Sequence, residues 1–305
     1  RGELVKTTPS LASRLNQRAD LLRCIFSFHK TRNPKEYINL RSSSKLFHRA
    51  LSQPPPLWTS FPHSNYPTLQ DLLNRLQQLR GDSMSEEITS KVPSLLFIEE
   101  GAYVAKGKYL TINVPLSIYG AGREKTTLVE FGLKINGWKT SGIVEIGDLT
   151  IKGVENDGVY VCNGMNVIMR GVSVEECGGC GVSASNRGEI TCEDLQVIGC
   201  GCNGVSASSN GTITLSGEGT SIQRNVTSAH SMDSFAHGLK WQSSGDYGLK
   251  TCTSSDKILL VAPLTKEQIS INNGGGGNWG GLGTIEQVDN DGIVLQILYK
   301  GKEDE

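Results

Sequence analysis

The chain holds 305 residues, enough for two domains or for one elongated repeat domain with an added module. Its 30 Lys and Arg against 31 Asp and Glu leave a net charge of −1, which excludes a chain built as a whole to coat nucleic acid or an anionic membrane. No run nears the roughly 18 apolar residues of a membrane helix, and the N-terminal stretch lacks the apolar core and cleavage site of a secretory signal, so a soluble chain of the cytoplasm or nucleus is expected.

The balance hides an asymmetry. Residues 1–60 hold 11 Lys and Arg against 3 acids, a formal +8, so the remainder carries −9. The basic residues are dispersed among structural positions instead of forming one block, which argues against nucleic acid as the partner. Seven of the ten prolines lie before Thr68, whereas most glycines follow Gly101. That shift places a boundary between residues 60 and 93 and predicts three segments: a helical module over 1–61, a linker with a capping helix over 62–92, and a repeat domain over 93–305.

In the front module Leu21, Leu22, Ile25, Phe26 and Phe28 gather on one predicted helix, and Leu40, Leu46, Phe47 and Leu51 on a second. Pro54-Pro55-Pro56 then ends the helical pattern before Leu57 and Trp58. The segments Asp20–Phe28, Ser44–Leu51 and Pro56-Leu57-Trp58, in that order, resemble an F-box. The resemblance implies docking on the small linker protein of a cullin-based ubiquitin ligase, with Leu22, Ile25, Phe26, Leu57 and Trp58 as the partner-binding anchors. The sequence departs from the family where Gln17-Arg18 replace its usual Leu-Pro pair and His29 replaces a common leucine. A plain helical cap, or an arm for an anionic partner, is the other reading of the same residues.

Thr68 can cap the next helix with Asp71 at its third position, and Leu69, Leu72, Leu73, Leu76 and Leu79 form one apolar stripe. After it, Leu95–Tyr103, Leu110-Thr111-Ile112 and Leu116–Gly122 resemble the opening rungs of the pectin-lyase-like superfamily. That resemblance implies a right-handed parallel β-helix whose open N-terminal end the helix plugs.

The centre of the chain repeats. Gly181-Val182-Ser183-Ala184-Ser185 returns 23 residues later as Gly204-Val205-Ser206-Ala207-Ser208, and the same shift carries Val174 onto Val197 and Cys177 onto Cys200. One unit earlier, Val159 and Val161 fall on Val182 and Ala184. Apolar residues alternate within each unit, the signature of a strand with one buried face, and Gly, Asn and Ser interrupt them at corners. A unit of about 23 residues cannot bury its apolar face alone, so the repeat predicts a mostly β solenoid of eight or nine stacked rungs, about 40 Å long at roughly 4.8 Å per rung. Beyond Gly217 the register is lost. There Gly274 to Gly277 followed by Asn278-Trp279-Gly280-Gly281 read as a flexible loop, and Ile293–Leu298 as the last strand.

Polysaccharide-cleaving relatives of that superfamily would need two carboxylates within about 5–10 Å, meaning matched positions of adjacent rungs. The 23-residue shift sets Glu175 on Ile198, Glu193 on Arg170 and Asp157 on Cys180, so no pair stacks. His237-Gly238 lacks the upstream aspartates that a polygalacturonase-like element requires. No cofactor motif is present, because no Gly-Lys-Ser/Thr follows the glycine run. Cys177, Cys180, Cys200 and Cys202 make a C-x2-C-x19-C-x-C pattern that leaves three readings: a ladder of buried thiols, a zinc quartet, or a disulfide. The favoured reading is a non-enzymatic recognition protein, an F-box-like adaptor whose β-helix face binds a protein substrate. The alternative is a carbohydrate-active enzyme or binding module with polysaccharide as ligand, for which exposed aromatics such as Trp241, Tyr247 and Trp279 would share one face.

Overall fold

The computed structural model describes residues 57–81, 92–105, 108–137, 142–226 and 246–295. Two compact units divide the chain, one formed by residues 1–59 and 85–95, the other by 60–84 and 96–305. In the first, only residues 57–59 and 92–95 are described, and there the Ser94 and Leu95 amides donate to the Leu57 carbonyl.

The second unit is a parallel β-solenoid of about seven turns with rungs of about 23 residues. Each rung visits three sheets in turn. Sheet I stacks Tyr109–Ile112, Gly132–Asn136, Val159–Cys162, Val182–Ser185, Val205–Ser208, Tyr247–Thr251 and Gly277–Gly281. Sheet II has nine strands, of which the last seven are Ser117–Gly120, Ile143–Gly147, Asn166–Arg170, Glu189–Glu193, Thr212–Ser216, Lys257–Val261 and Thr284–Val288. Sheet III stacks Gly101–Val104, Thr126–Val129, Thr150–Lys152, Ser173–Glu175, Gln196–Ile198, Ser221–Gln223 and Ser270–Ile271.

The register read from the repeat holds. Val159 pairs with Val182 and Val182 with Val205; Val174 pairs with Val197. Inward columns such as Leu133, Val159, Val182, Val205 and Leu249 are fully buried, so each rung's apolar stripe is completed by its neighbours. Seven rungs form instead of eight or nine, because later rungs are longer: Thr212 pairs with Lys257 and Ile222 with Ser270.

Corners need left-handed backbone, and the sequence supplies residues that tolerate it. Asp148, Gly171, Asp194 and Gly217 all have positive φ at the turn from sheet II to sheet III. At the turn from sheet I to sheet II, Asn163 Nδ2 donates to Asn136 Oδ1 at 2.6 Å, and Asn186 Nδ2 donates to Asn163 Oδ1.

The capping helix runs from Leu69 to Gly81. The Asp71 amide donates to Thr68 Oγ1 at 3.1 Å, and Leu69, Leu72, Leu73 and Leu76 are buried. Gln77 ties the helix to the first rung: its Nε2 donates to Thr111 O at 2.9 Å and its Oε1 accepts from the Asn113 amide at 2.8 Å.

One expectation about the tail needs correction. Gly277–Gly281 is a strand of sheet I, not a loop; three of its five residues are glycine, and a Cβ at Gly280 would strike the Tyr247 ring. Among the described residues the last rung strand is Thr284–Val288, and the expected strand Ile293–Leu298 lies partly outside them. Beyond Val288 the chain turns at Asp289 to Gly292, and Val294 pairs antiparallel with Val288.

Candidate recognition face

The outer faces of the sheets differ in access. On sheet I the outward column includes Ser183, Ser206 and Lys250, all buried, with Lys250 Nζ 3.6 Å from Asp246 Oδ1. Sheet II leaves Asn166, Glu189, Thr191 and Lys257 exposed, so it offers the broader accessible surface.

At the centre of sheet II, parallel pairing sets Tyr119 beside Gly147, Gly147 beside Arg170, and Arg170 beside Glu193. Glycine at 147 lets the Tyr119 ring lie over the strand, since a Cβ there would meet the ring. Tyr119 Oη then donates to Glu145 Oε2 at 2.7 Å. Burial, reinforced by this bond and the nearby Glu145 charge, pushes the phenol's pKa well up. Arg170 sits between two carboxylates, its Nη1 3.9 Å from Glu145 Oε2 and its Nε 3.6 Å from Glu193 Oε2. Along the edge of this face, Arg123 spans the corner and donates from Nε to Gly171 O at 3.2 Å and from Nη2 to Asp194 O.

In-register pairing keeps carboxylates apart. Glu145 pairs with Ser117 and Ile168, Glu189 with Asn166 and Thr212, Glu175 with Lys152 and Ile198, and Glu286 with Leu259. Glu145 and Glu193 are two rungs apart, roughly 10 Å at the inter-strand spacing, and Arg170 fills the gap between them. Other acids are spent on corners. Asp157 Oδ1 accepts from the Cys180 amide at 2.7 Å, and burial raises its pKa. The fully buried Asp256 accepts from three backbone amides, those of Asn210, Cys252 and Thr253.

The cysteine corner resolves into two pairs of positions. Cys177 and Cys200, both buried, follow the paired residues Glu175 and Ile198 by two positions and continue an inner column from Val154. Hydrogen bonding to Cys177, then burial, raise the Cys200 thiol's pKa. Cys180 accepts from Asn203 Nδ2 at 3.6 Å, whereas Cys202 donates to Gly178 O at 3.8 Å, and burial pushes its pKa up to about 11. Among the described residues, none of the cysteines is in a disulfide and no group of three or more His, Cys, Asp or Glu is arranged to hold a metal ion.

The remaining predicted residues are placed as follows. Leu22, Ile25 and Phe26 lie outside the described residues, as do Trp241 and His237; Leu57 and Trp58 are 46% and 39% exposed. Trp279 pairs with Leu249 and so extends the core column, with Lys266 Nζ 5.3 Å from its ring centre. Tyr247, by contrast, lies against Gly276 and Gly280. Sequence reasoning missed Arg123, whose carbonyl targets are invisible in any motif, and Tyr119, which belongs to an early rung outside the 23-residue repeat. No helix among the described residues is long and apolar enough to cross a membrane. Comparison with protein-family models, curated proteins and solved structures returns no match.

Proposed function

We propose that this chain is a non-catalytic recognition protein in which the outer face of sheet II binds a protein partner and an F-box-like module over residues 1–61 couples it to the linker protein of a cullin-type ubiquitin ligase. The observation that carries the first half is the interleaved Glu145, Arg170 and Glu193 row with Tyr119 at its end. Alternating charge on a rigid flat sheet presents fixed donors and acceptors, which select a partner by complementarity. General acid and base catalysis of glycoside cleavage instead needs two carboxylates facing an open space, and here an arginine occupies that space. Leu57 and Trp58 support the second half, because exposed large apolar residues are typical interface anchors.

A pull-down from cell extract with the full chain tests both halves. Wild type is compared with Ile25→Asp/Trp58→Ala and with Glu145→Lys/Arg170→Glu. The expected result is loss of the cullin linker protein in the first variant, and loss of a different protein, with the linker retained, in the second. Failure of folded wild type to recover the linker would overturn the adaptor reading. An unchanged protein set with the second variant would overturn the recognition face.

A further inference from the structure

We propose that the outer edge of Gly101–Val104, the first strand of sheet III, is a docking site that takes an extended peptide segment of a partner protein as an added strand. Sheet III runs from Ser270–Ile271 at one end to Gly101–Val104 at the other, so this strand has a neighbour on one side only. That neighbour is Thr126–Val129. The Gly101 amide donates to Lys125 O at 2.9 Å, on the inner edge. Strand alternation then turns the amides and carbonyls of Ala102 and Val104 the other way, to the open edge. Both residues are exposed, Val104 at 66%.

The corresponding end of sheet I is sealed. There Gln77 of the capping helix offers its side-chain amide to Thr111 O and to the Asn113 amide, as a neighbouring strand would. Among the described residues no side chain does this for Ala102 or Val104. Gly101–Val104 also carries neither a charge nor a proline, two devices that blunt an open edge. The strand is held in place from behind: the Tyr103 and Phe61 rings meet edge-on with centres 5.3 Å apart, and Tyr103 Oη donates to Glu99 O at 3.2 Å. An edge fixed in this way receives a strand with little ordering of its own.

The side chains define the chemistry of the occupant. Ala102 stacks beside Thr127 and Val104 beside Val129, on the outer face of the sheet opposite the buried Leu128. A segment with a β-branched residue at every second position continues the Val104 and Val129 column while its backbone pairs with the edge. Four residues span about 13 Å. That length matches one extended segment and falls far short of the roughly 1,600 Å² that a standard interface between folded copies buries.

Amide hydrogen exchange on the full chain tests this at two protein concentrations, with the capped peptide Thr-Val-Thr-Val-Thr and its fully N-methylated form as probes. The Ala102 and Val104 amides are expected to exchange freely in the chain alone and to slow at least about tenfold with the first peptide only. Ala102→Pro removes one outward amide and leaves the pairing with Thr126–Val129 in place, so it should weaken peptide binding about tenfold. Val104→Lys, which keeps every backbone group, should weaken it as well. Equal binding by both variants and wild type overturns the inference, as does slowing by the N-methylated peptide or no slowing at about 1 mM peptide. Protection without peptide also overturns it: if it rises with protein concentration the edge belongs to a second copy, and if it does not the chain covers the edge itself.

Discussion

Replacing Asp256 with alanine should be among the most damaging single changes in the later rungs. The carboxylate is fully buried at a corner between sheets I and II, where Oδ1 accepts from the Asn210 amide at 2.8 Å and Oδ2 from the amides of Cys252, at 3.0 Å, and Thr253. Alanine strands three donors at once. A buried donor left without an acceptor costs about 1–3 kcal/mol, and because water can enter the vacated space the three do not sum fully, giving a loss of about 4 kcal/mol. Asparagine keeps its one oxygen for the Cys252 and Thr253 amides but turns its NH2 toward the Asn210 amide, so about 2 kcal/mol is expected. Urea unfolding followed by far-ultraviolet circular dichroism measures both, with the slope against denaturant held as a check on the unfolded state. A loss below about 1 kcal/mol for alanine, or equal losses for the two variants, would refute the claim that this carboxylate organises the corner.

Two further outcomes follow from the same corners. Gly181→Ala should lose about 3 kcal/mol, because a Cβ there meets Val197 and lies 2.7 Å from the Gly204 carbonyl, whereas Gly164→Ala, with nothing within 4 Å and a φ of 71°, should lose only about 1 kcal/mol in the same unfolding assay. For Asp157, burial raises the folded pKa, so the native state holds the proton more tightly than the unfolded chain and stability falls as pH rises above the ordinary carboxylate value of about 4. Asp157→Asn keeps an acceptor for the Cys180 amide and should abolish that fall, matching wild type below pH of about 4 and exceeding it at neutral pH in a melting-temperature series.

The repeat was legible because parallel stacking copies positions. Identical shifts bring Val159, Val182 and Val205 into one column, and composition alone exposes such a column. Thr68 and Asp71 marked the capping helix for the same local reason, a side chain bonding its own turn. The late rungs were opaque because their length changes: Ile213 pairs with Ile258 and Ile222 with Ser270, so no single shift aligns them. Gly277–Gly281 hid as a strand because three of its five residues are glycine, which carries no strand propensity, and a run of glycines precedes it. On the outer face of sheet II, Glu193 opposite Arg170 followed from the repeat, but Tyr119 reaches Glu145 from a rung of different length. Arg123 reaches two carbonyls far along the chain, and no side-chain pattern announces a backbone acceptor.

Rung length changes along the solenoid while its register does not. Val205 pairs with Val182 across 23 residues on one side and with Leu249 across 44 on the other, yet both neighbours meet it in the same register. Each rung answers only to the rungs beside it, and the entropy of closing a connection grows only logarithmically with its length. Extra sequence can therefore be accepted between Val226 and Asp246 without rewriting the ladder, which makes that stretch of chain the natural graft point for an epitope, a reporter or a new specificity.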